Sequence, residues 1–160
     1  MKERLEFGFR GLEGALDRVA DYSPDDRFFP LAEAFLWIDL IDGAYWIQDE
    51  EQGTGYREFI QLHELGPTRT ALRYARNRFV HDIGVYGMHG GIFHAGAFSS
   101  GFSEEFDITT TRWIWRRLGD LPAWEGNTNG EHEYREELEG EDVEPTLRAM
   151  GVVLAEDWDS

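Results

Sequence analysis

The stretch TRTALRYARNRFVHDI, residues 68–83, predicts the helix around which this protein is built. It has no internal Gly or Pro, follows the Gly66-Pro67 pair and ends before Gly84, a pattern typical of a helix with a start and a stop signal. At about 100° per residue, five polar side chains fall within an arc of roughly 140°. They are Arg69, Arg73, Arg76, Asn77 and His81. One helix is therefore expected to present guanidiniums, a carboxamide and an imidazole together, with its apolar residues on another side.

Part of this helix resembles a known motif. The run Arg76-Asn77-Arg78-Phe79-Val80-His81 fits R-N-x-x-x-H, and so resembles the HEPN superfamily (higher eukaryotes and prokaryotes nucleotide-binding domains). The resemblance covers the motif and its helix, a tenth of the chain. It implies a small helical bundle with the motif late in one helix. Active members of the family are metal-independent endoribonucleases, often toxins or abortive-infection effectors, with a composite site at a dimer interface.

The resemblance also implies roles for three residues. Arg76 would bind and polarise a phosphate of RNA, Asn77 would position it, and His81 would be the general base that activates the 2′-OH. A guanidinium is suited to phosphate oxygens and an imidazole to proton transfer near neutral pH. No metal or other cofactor is implied, and two copies of the helix would face each other in a homodimer. The alternative is that the arginines pair with the abundant acids and His81 packs at the helix end.

Three further arginines of the same helix are predicted to bind substrate. Arg69, Arg73 and Arg78 would extend a cationic track for the RNA backbone. Arg69 and Arg73 fit equally well as partners in salt bridges within the bundle.

Helical spacing of apolar residues predicts the other helices, at 5–22, 29–47, 57–65, 131–138 and 143–158. Residues 84–124 predict a β-rich insertion, in which 92–98 and 108–115 form a hairpin. The predicted fold is therefore mainly α: one domain, 1–160, with a HEPN-like four-helix bundle and a small β-hairpin insertion before the last helix. Trp113, Trp115 and Trp124 either pack one face of this insertion on the core or stack bases.

The helix predicted at 29–47 carries apolar residues on nearly all sides, which places it inside the bundle or at a subunit interface. Its acids are Glu33, Asp39 and Asp42. They form a narrow solvated strip, or Asp39 or Asp42 faces the arginines of 68–83 and orients them by charged hydrogen bonds.

The charge of the chain limits the partners it can attract. The net charge is −17, and residues 120–160 hold 13 acids against 2 bases. An acidic surface repels nucleic acid at long range, so it weighs against RNA binding. It favours solubility, or a docking surface for a basic protein. The alternative function is therefore a non-catalytic, HEPN-like acidic interaction protein, an inhibitor or assembly subunit that binds a basic partner through its acidic C-terminal third.

Other features concern location and metals. The absence of cysteine excludes disulfides and suits a reducing cytoplasm, where we expect the protein to be. The N-terminus lacks the apolar core of a signal peptide, and acids interrupt the longest apolar run, so no membrane span is expected. His89 and His94 lie in a Gly-rich stretch without further ligands at motif spacing, and we expect no metal site there.

Overall fold

The structure is a computed structural model that describes residues 2–23, 26–81, 113–121 and 123–156, without the side chains of 2–4, 80 and 81. Within these residues the chain forms six α-helices and one 3-10 turn, at Leu118–Asp120. The helices are α1 (Lys2–Asp21), α2 (Phe28–Gln52), α3 (Tyr56–Leu62), α4 (Gly66–His81), α5 (Glu131–Glu137) and α6 (Val143–Leu154). The prediction of a mainly α-helical bundle is confirmed.

Helix α2 is the centre of the bundle, because it packs against α1, α3, α4 and α6. Its inward residues Phe35, Ile38 and Ile41 are buried in the main core cluster. Helix α1 approaches it closely at Gly11, where a Cβ atom would overlap the indole ring of Trp37. The absence of a side chain at Gly11 thus permits a close contact between α1 and α2.

Helix α2 extends five residues beyond its predicted end, because QDEEQ (48–52) contains no helix breaker. It ends at Gly53, which has φ +63° and donates its N–H to the carbonyl oxygen of Asp49 at 2.8 Å. The Asp49 carboxylate then accepts the backbone N–H groups of Gly55 (2.6 Å) and Tyr56 (3.1 Å). Partial desolvation raises the pKa of Asp49, but these hydrogen bonds lower it, and the net pKa lies below the ordinary value.

Helix α5 packs on the side of α4 away from α2. The rings of Tyr74 and Tyr134 lie 5.7 Å apart, and the Tyr134 hydroxyl donates to the carbonyl oxygen of Arg116 at 2.7 Å. The turn before α5 needs Gly130, whose φ is +90° and whose hypothetical Cβ would lie 2.8 Å from the Thr70 carbonyl oxygen. Helix α4 is therefore held between α2 and α5.

The predicted β-hairpin is not supported. Its segments 92–98 and 108–112 lie outside the described residues, so only 113–115 can be followed. There, Ile114 and Trp115 form isolated bridges with Asp142 and Glu139, between α5 and α6, and no strand is formed in the described part of the chain. Trp113 and Trp115 are buried, and the ring of Trp115 lies 5.5 Å from that of Phe35. In 113–115, the described part of the pattern that predicted a strand, the chain is extended and both tryptophans are buried.

Candidate active site

A solvent-accessible groove of about 210 Å³ lies between α2 and α4. Its walls carry charged and apolar side chains from both helices: Asp39, Asp42, Gly43, Trp46, Ile47, Arg73 and Arg76. Two of the six residues predicted as site residues, Arg73 and Arg76, therefore line one cavity. Gly43 leaves room in its wall, since a Cβ there would have no neighbour within 4 Å.

Arg76 is fixed at the edge of this groove by Asp39. Its Nε donates to Asp39 Oδ1 at 3.0 Å, and the two side chains keep 33% and 23% of their surface exposed. The bond uses Nε, so it does not engage Nη1 and Nη2, the fork that suits phosphate oxygens. Asp39 thus orients Arg76 while partly neutralising its charge.

Arg69, about two turns earlier in α4, is in a different environment. Its Nε and Nη2 donate to the two carboxylate oxygens of Asp42, at 2.7 and 3.0 Å, and the side chains are only 9% and 6% exposed. The Tyr56 hydroxyl donates to Asp42 Oδ1 at 2.6 Å. Burial, followed by the nearby Asp42 carboxylate, raises the pKa of Tyr56 far above its ordinary value.

These contacts confirm that an acid of α2 faces the arginines of α4, and both Asp39 and Asp42 do so. The solvated-strip interpretation is wrong for Asp42, which is buried. Arg69 was predicted to extend a cationic track for RNA, but a buried bidentate salt bridge already engages its guanidinium. It connects α4 to α2 beneath the groove.

The indole ring of Trp46 packs against the guanidinium groups of three arginines. The guanidinium carbons of Arg57, Arg69 and Arg73 lie 4.6, 4.5 and 5.2 Å from the indole ring. Arg73 is exposed, so this contact steadies a cation at the mouth of the groove. Sequence reasoning did not connect Trp46 or Arg57 with the site; the seven-residue spacing from Asp39 to Trp46 was the available signal, since it places both on one face of α2.

Arg78 lies on the opposite side of α4 from the groove. It is buried, with its guanidinium carbon 6.0 Å from the Tyr74 ring and 5.6 Å from the Trp124 ring. Two residues along a helix rotate a side chain by about 200°, which separates Arg78 from Arg76. The structure therefore does not bring Arg78 to the other candidate residues.

Asn77 and His81 complete the predicted set. Asn77 is half-buried beside Arg76 on α4. His81 is the last residue of α4, so its backbone follows Arg76 by about 7.5 Å along the helix axis, but its side chain lies outside the described residues.

The groove offers a cation fork, a second cation and an aromatic face beside two carboxylates. Such a set can bind and orient an anion such as a phosphodiester.

No three His, Asp or Glu side chains form a metal-binding group in the described part of the chain, to which His89 and His94 do not belong. None of the described helices has the length and apolar character of a membrane span. Comparison with known protein families, curated proteins and solved structures finds no match for the chain.

Proposed function

We propose that this protein is a metal-independent endoribonuclease of the HEPN type that cleaves RNA by attack of a 2′-OH on the adjacent phosphate. The observation that carries the proposal is the position of Arg76, the first residue of the R-N-x-x-x-H run, at the edge of an accessible groove. A role as a toxin or phage-defence effector is the setting that the resemblance implies for such an enzyme.

In this proposal, the Nη fork of Arg76 binds the scissile phosphate and stabilises the charge that develops on it. Asn77, its neighbour on α4, positions the phosphate, and His81 takes the 2′-OH proton as general base. As the bond from the 2′ oxygen to phosphorus forms, the bond from phosphorus to the 5′ oxygen breaks, which leaves a 2′,3′-cyclic phosphate and a 5′-hydroxyl that takes its proton from water. The reaction needs no metal or cofactor, because the nucleophile belongs to the RNA and the charge is met by guanidinium. The symmetric homodimer implied by the family would bring two such sets into one cleft.

The positions of the other arginines determine which of them can contact the substrate. Arg73 is exposed at the mouth of the groove and can approach a neighbouring phosphate. Arg69 and Arg78 are buried, so they support α4 from within the bundle. The substrate track that we propose therefore contains Arg73 and Arg76.

The acidic surface of the protein determines how RNA binding should depend on salt. With a net charge of −17, long-range repulsion slows the encounter with RNA, and added salt screens that repulsion. Moderate salt should therefore weaken RNA binding less than it does for a basic nuclease.

The test is cleavage of a labelled single-stranded RNA in EDTA. We expect Arg76→Ala and His81→Ala each to reduce the cleavage rate by about 100-fold or more, the range for loss of one charge stabiliser or one general base. Arg135→Ala is the matched control, because Arg135 is an exposed arginine of α5, far along the chain, whose partner is Glu131. Absence of cleavage by pure wild-type protein, or equal cleavage by the Arg76 and His81 variants, would contradict the proposal.

A second candidate is a non-catalytic acidic interaction protein of the same fold. The observation that favours it is the pairing of Arg69 and Arg76 with acids of α2, together with the acid-rich α5 segment EHEYREE. Binding of a basic protein that is lost when the acids in 131–144 are changed to Gln or Asn would support it. Binding that persists after this neutralisation would contradict it.

A further inference from the structure

The groove between α2 and α4 contains an acidic side chain that phosphate binding alone does not explain. Asp39 lines the groove beside Arg76 and keeps 23% of its surface exposed. A carboxylate repels a phosphodiester, so its position next to the proposed phosphate site needs a reason beyond the orientation of Arg76. Asp42, the other acid of the groove, is buried and is bonded to Arg69 and to the Tyr56 hydroxyl. Asp39 is thus the carboxylate that a ligand in the groove can reach.

The Asp39 carboxylate has acceptor capacity left for such a ligand. An ionised carboxylate can accept about four hydrogen bonds. The Nε of Arg76 donates to Oδ1 at 3.0 Å, and no other hydrogen bond to Asp39 is formed within the described ranges of the chain. Oδ2 and the second lone pair of Oδ1 can therefore accept two N–H groups of a ligand.

Gly43 follows Asp39 by one turn on the same face of α2, and it leaves space in the wall of the groove. Glycine inside a helix is unfavourable compared with alanine, so it usually has a reason in packing or in function. At Gly11 the reason is packing, because a Cβ would overlap the Trp37 ring. At Gly43 none of the described residues lies within 4 Å of a hypothetical Cβ. The missing side chain at Gly43 therefore leaves room for a ligand.

The surroundings of Gly43 suit a flat, partly apolar group. Ile47, one turn further along α2, is 55% exposed, and the exposed Arg73 lies over the indole ring of Trp46 at 5.2 Å. The groove volume of about 210 Å³ is below the range of about 300–1,000 Å³ for pockets that hold a whole drug-sized ligand, so the groove would enclose part of a nucleotide. A nucleobase over Gly43 would contact Ile47 and present one edge to the Asp39 carboxylate.

The hydrogen-bonding groups of the bases make guanine the best partner for a carboxylate. Its Watson–Crick edge has two adjacent donors, N1–H and N2–H, which match the two carboxylate oxygens. In adenine and cytosine the amino group lies beside a ring-nitrogen acceptor, and in uracil N3–H lies between two carbonyl oxygens. These acceptors would face the negative charge of Asp39, which disfavours the three other bases.

We propose that Asp39 and Gly43 form a guanine-binding subsite, which selects a guanine next to the phosphate that Arg76 binds. The inference rests on the proposed function, because it names the base that this ribonuclease would recognise. Asp39 and Arg76 are bonded to each other, so the base and the phosphate belong to one nucleotide or to two neighbouring nucleotides of the RNA.

The first experiment measures nucleotide binding by titration calorimetry, without cleavage. The probes are guanosine 3′-monophosphate and guanosine 5′-monophosphate, which distinguish the side of the phosphate that carries the base. We expect one or both to bind about 10- to 100-fold more tightly than the inosine counterpart, which lacks only the N2 amino group, the range for one hydrogen bond to a charged group. Equal binding of guanosine and inosine nucleotides, or no binding of either, would overturn the proposal.

Two variants assign the binding to the subsite. Asp39→Asn keeps an oxygen for Arg76 Nε but replaces the second acceptor with an amide N–H₂, so the ratio of guanosine to inosine affinity should fall to about 1. Glu51→Gln, at an exposed acid of α2 outside the groove, is the control and should keep the wild-type ratio. Gly43→Leu should abolish binding without lowering the Tm, since leucine fills the open space and favours a helix. A guanosine preference that persists in Asp39→Asn would overturn the proposal, as would binding or a lowered Tm in Gly43→Leu.

The second experiment separates this proposal from the ribonuclease itself. A labelled RNA that contains all four bases is incubated with the protein in EDTA, and the cut positions are mapped. We expect cuts beside guanine, and substitution of inosine for guanine should slow them by about 10- to 100-fold. Cleavage without regard to the base would overturn the guanine subsite and leave the ribonuclease intact. Guanosine-selective binding without cleavage of any RNA would do the reverse.

Discussion

Removal of the Arg69 guanidinium should destabilise the fold far more than removal of any surface arginine. In Arg69→Ala, the Asp42 carboxylate would remain buried, and among the described residues the Tyr56 hydroxyl would be its remaining partner. Breaking one side of a buried ion pair costs about 3–5 kcal/mol, and a domain of this size has a total stability of about 5–15 kcal/mol. At about 2–4 °C per kcal/mol, the Tm should fall by about 6–20 °C.

The assay is urea unfolding at pH 7, followed by circular dichroism and tryptophan fluorescence, with Tm measured in parallel. Arg135→Ala is the control, since its pair with Glu131 is largely exposed and should contribute about 0.3–0.5 kcal/mol. A triple variant, Arg69→Met with Asp42→Leu and Tyr56→Phe, removes every charge and hydrogen-bonding group of the cluster. It should recover most of the lost stability, because no unpaired charge is left in the interior.

The reasoning would be refuted by an Arg69→Ala variant within about 1 kcal/mol of wild type, the range of a surface pair. It would also be refuted if the triple variant were as unstable as the single one. That outcome would mean that the packing of the Arg69 side chain over Trp46, and not the charge left on Asp42, carries the effect.

Three further predictions use the same unfolding assay. Asp39→Asn should lower the free energy of unfolding by only about 0–1 kcal/mol, since its pair with Arg76 is partly exposed; a loss as large as that of Arg69→Ala would contradict this. Gly11→Ala should cost about 1–3 kcal/mol by overlap with the Trp37 ring, whereas Gly14→Ala, whose Cβ would lie 3.7 Å from Arg18 Nη1, should gain about 0.5–1 kcal/mol; equal effects would refute the close contact of α1 with α2. Because the pKa of Asp49 is lowered in the folded state, its stabilising contribution is present above the unfolded pKa and is lost as pH falls through the folded one; stability should therefore fall less steeply below pH 4 in Asp49→Asn than in wild type or in the control Glu51→Gln, and parallel curves would contradict it.

The helices could be predicted from the sequence because each has its own local signals. The absence of breakers in 68–83 and the break before it predicted α4 to within two residues at either end. The end of α2 was missed because the polar residues 48–52 resemble a loop in composition, while the capping at Gly53 depends on a local hydrogen bond to Asp49. The amino-acid composition of 48–52 therefore did not indicate the end of α2, because the capping at Gly53 sets that end.

The candidate site could be predicted only in part, because its geometry depends on what α4 packs against. The helical arc grouped Arg69 with Arg76 correctly, since both face α2. The helical pattern could not show that Asp42 is more deeply buried than Asp39. This difference in burial is the reason that Arg69 is buried and Arg76 remains accessible. Arg78 was predicted from its place within the motif run alone, and the packing of Tyr74 and Trp124 decides its burial.

Asp42 and Asp39 of α2 differ in burial, and this difference gives the arginines of α4 that they contact different roles. Asp42 is buried, so removing its partner would leave a charge in a poorly solvated place, and the Arg69 contact therefore fixes the position of α4 on α2. Asp39 lies at the groove and is partly exposed, so its contact with Arg76 contributes little to stability, and it uses Nε, which leaves the Nη groups to meet an anion. Arg69 thus anchors α4 about two turns before the more accessible Arg76, and this arrangement would suit the proposed phosphate binding, because α4 stays in place while Arg76 meets the anion. The same reasoning makes the Arg69 anchor a condition for any activity at Arg76, and it predicts that variants of the buried cluster lose function by displacing α4 rather than by removing a contact to substrate.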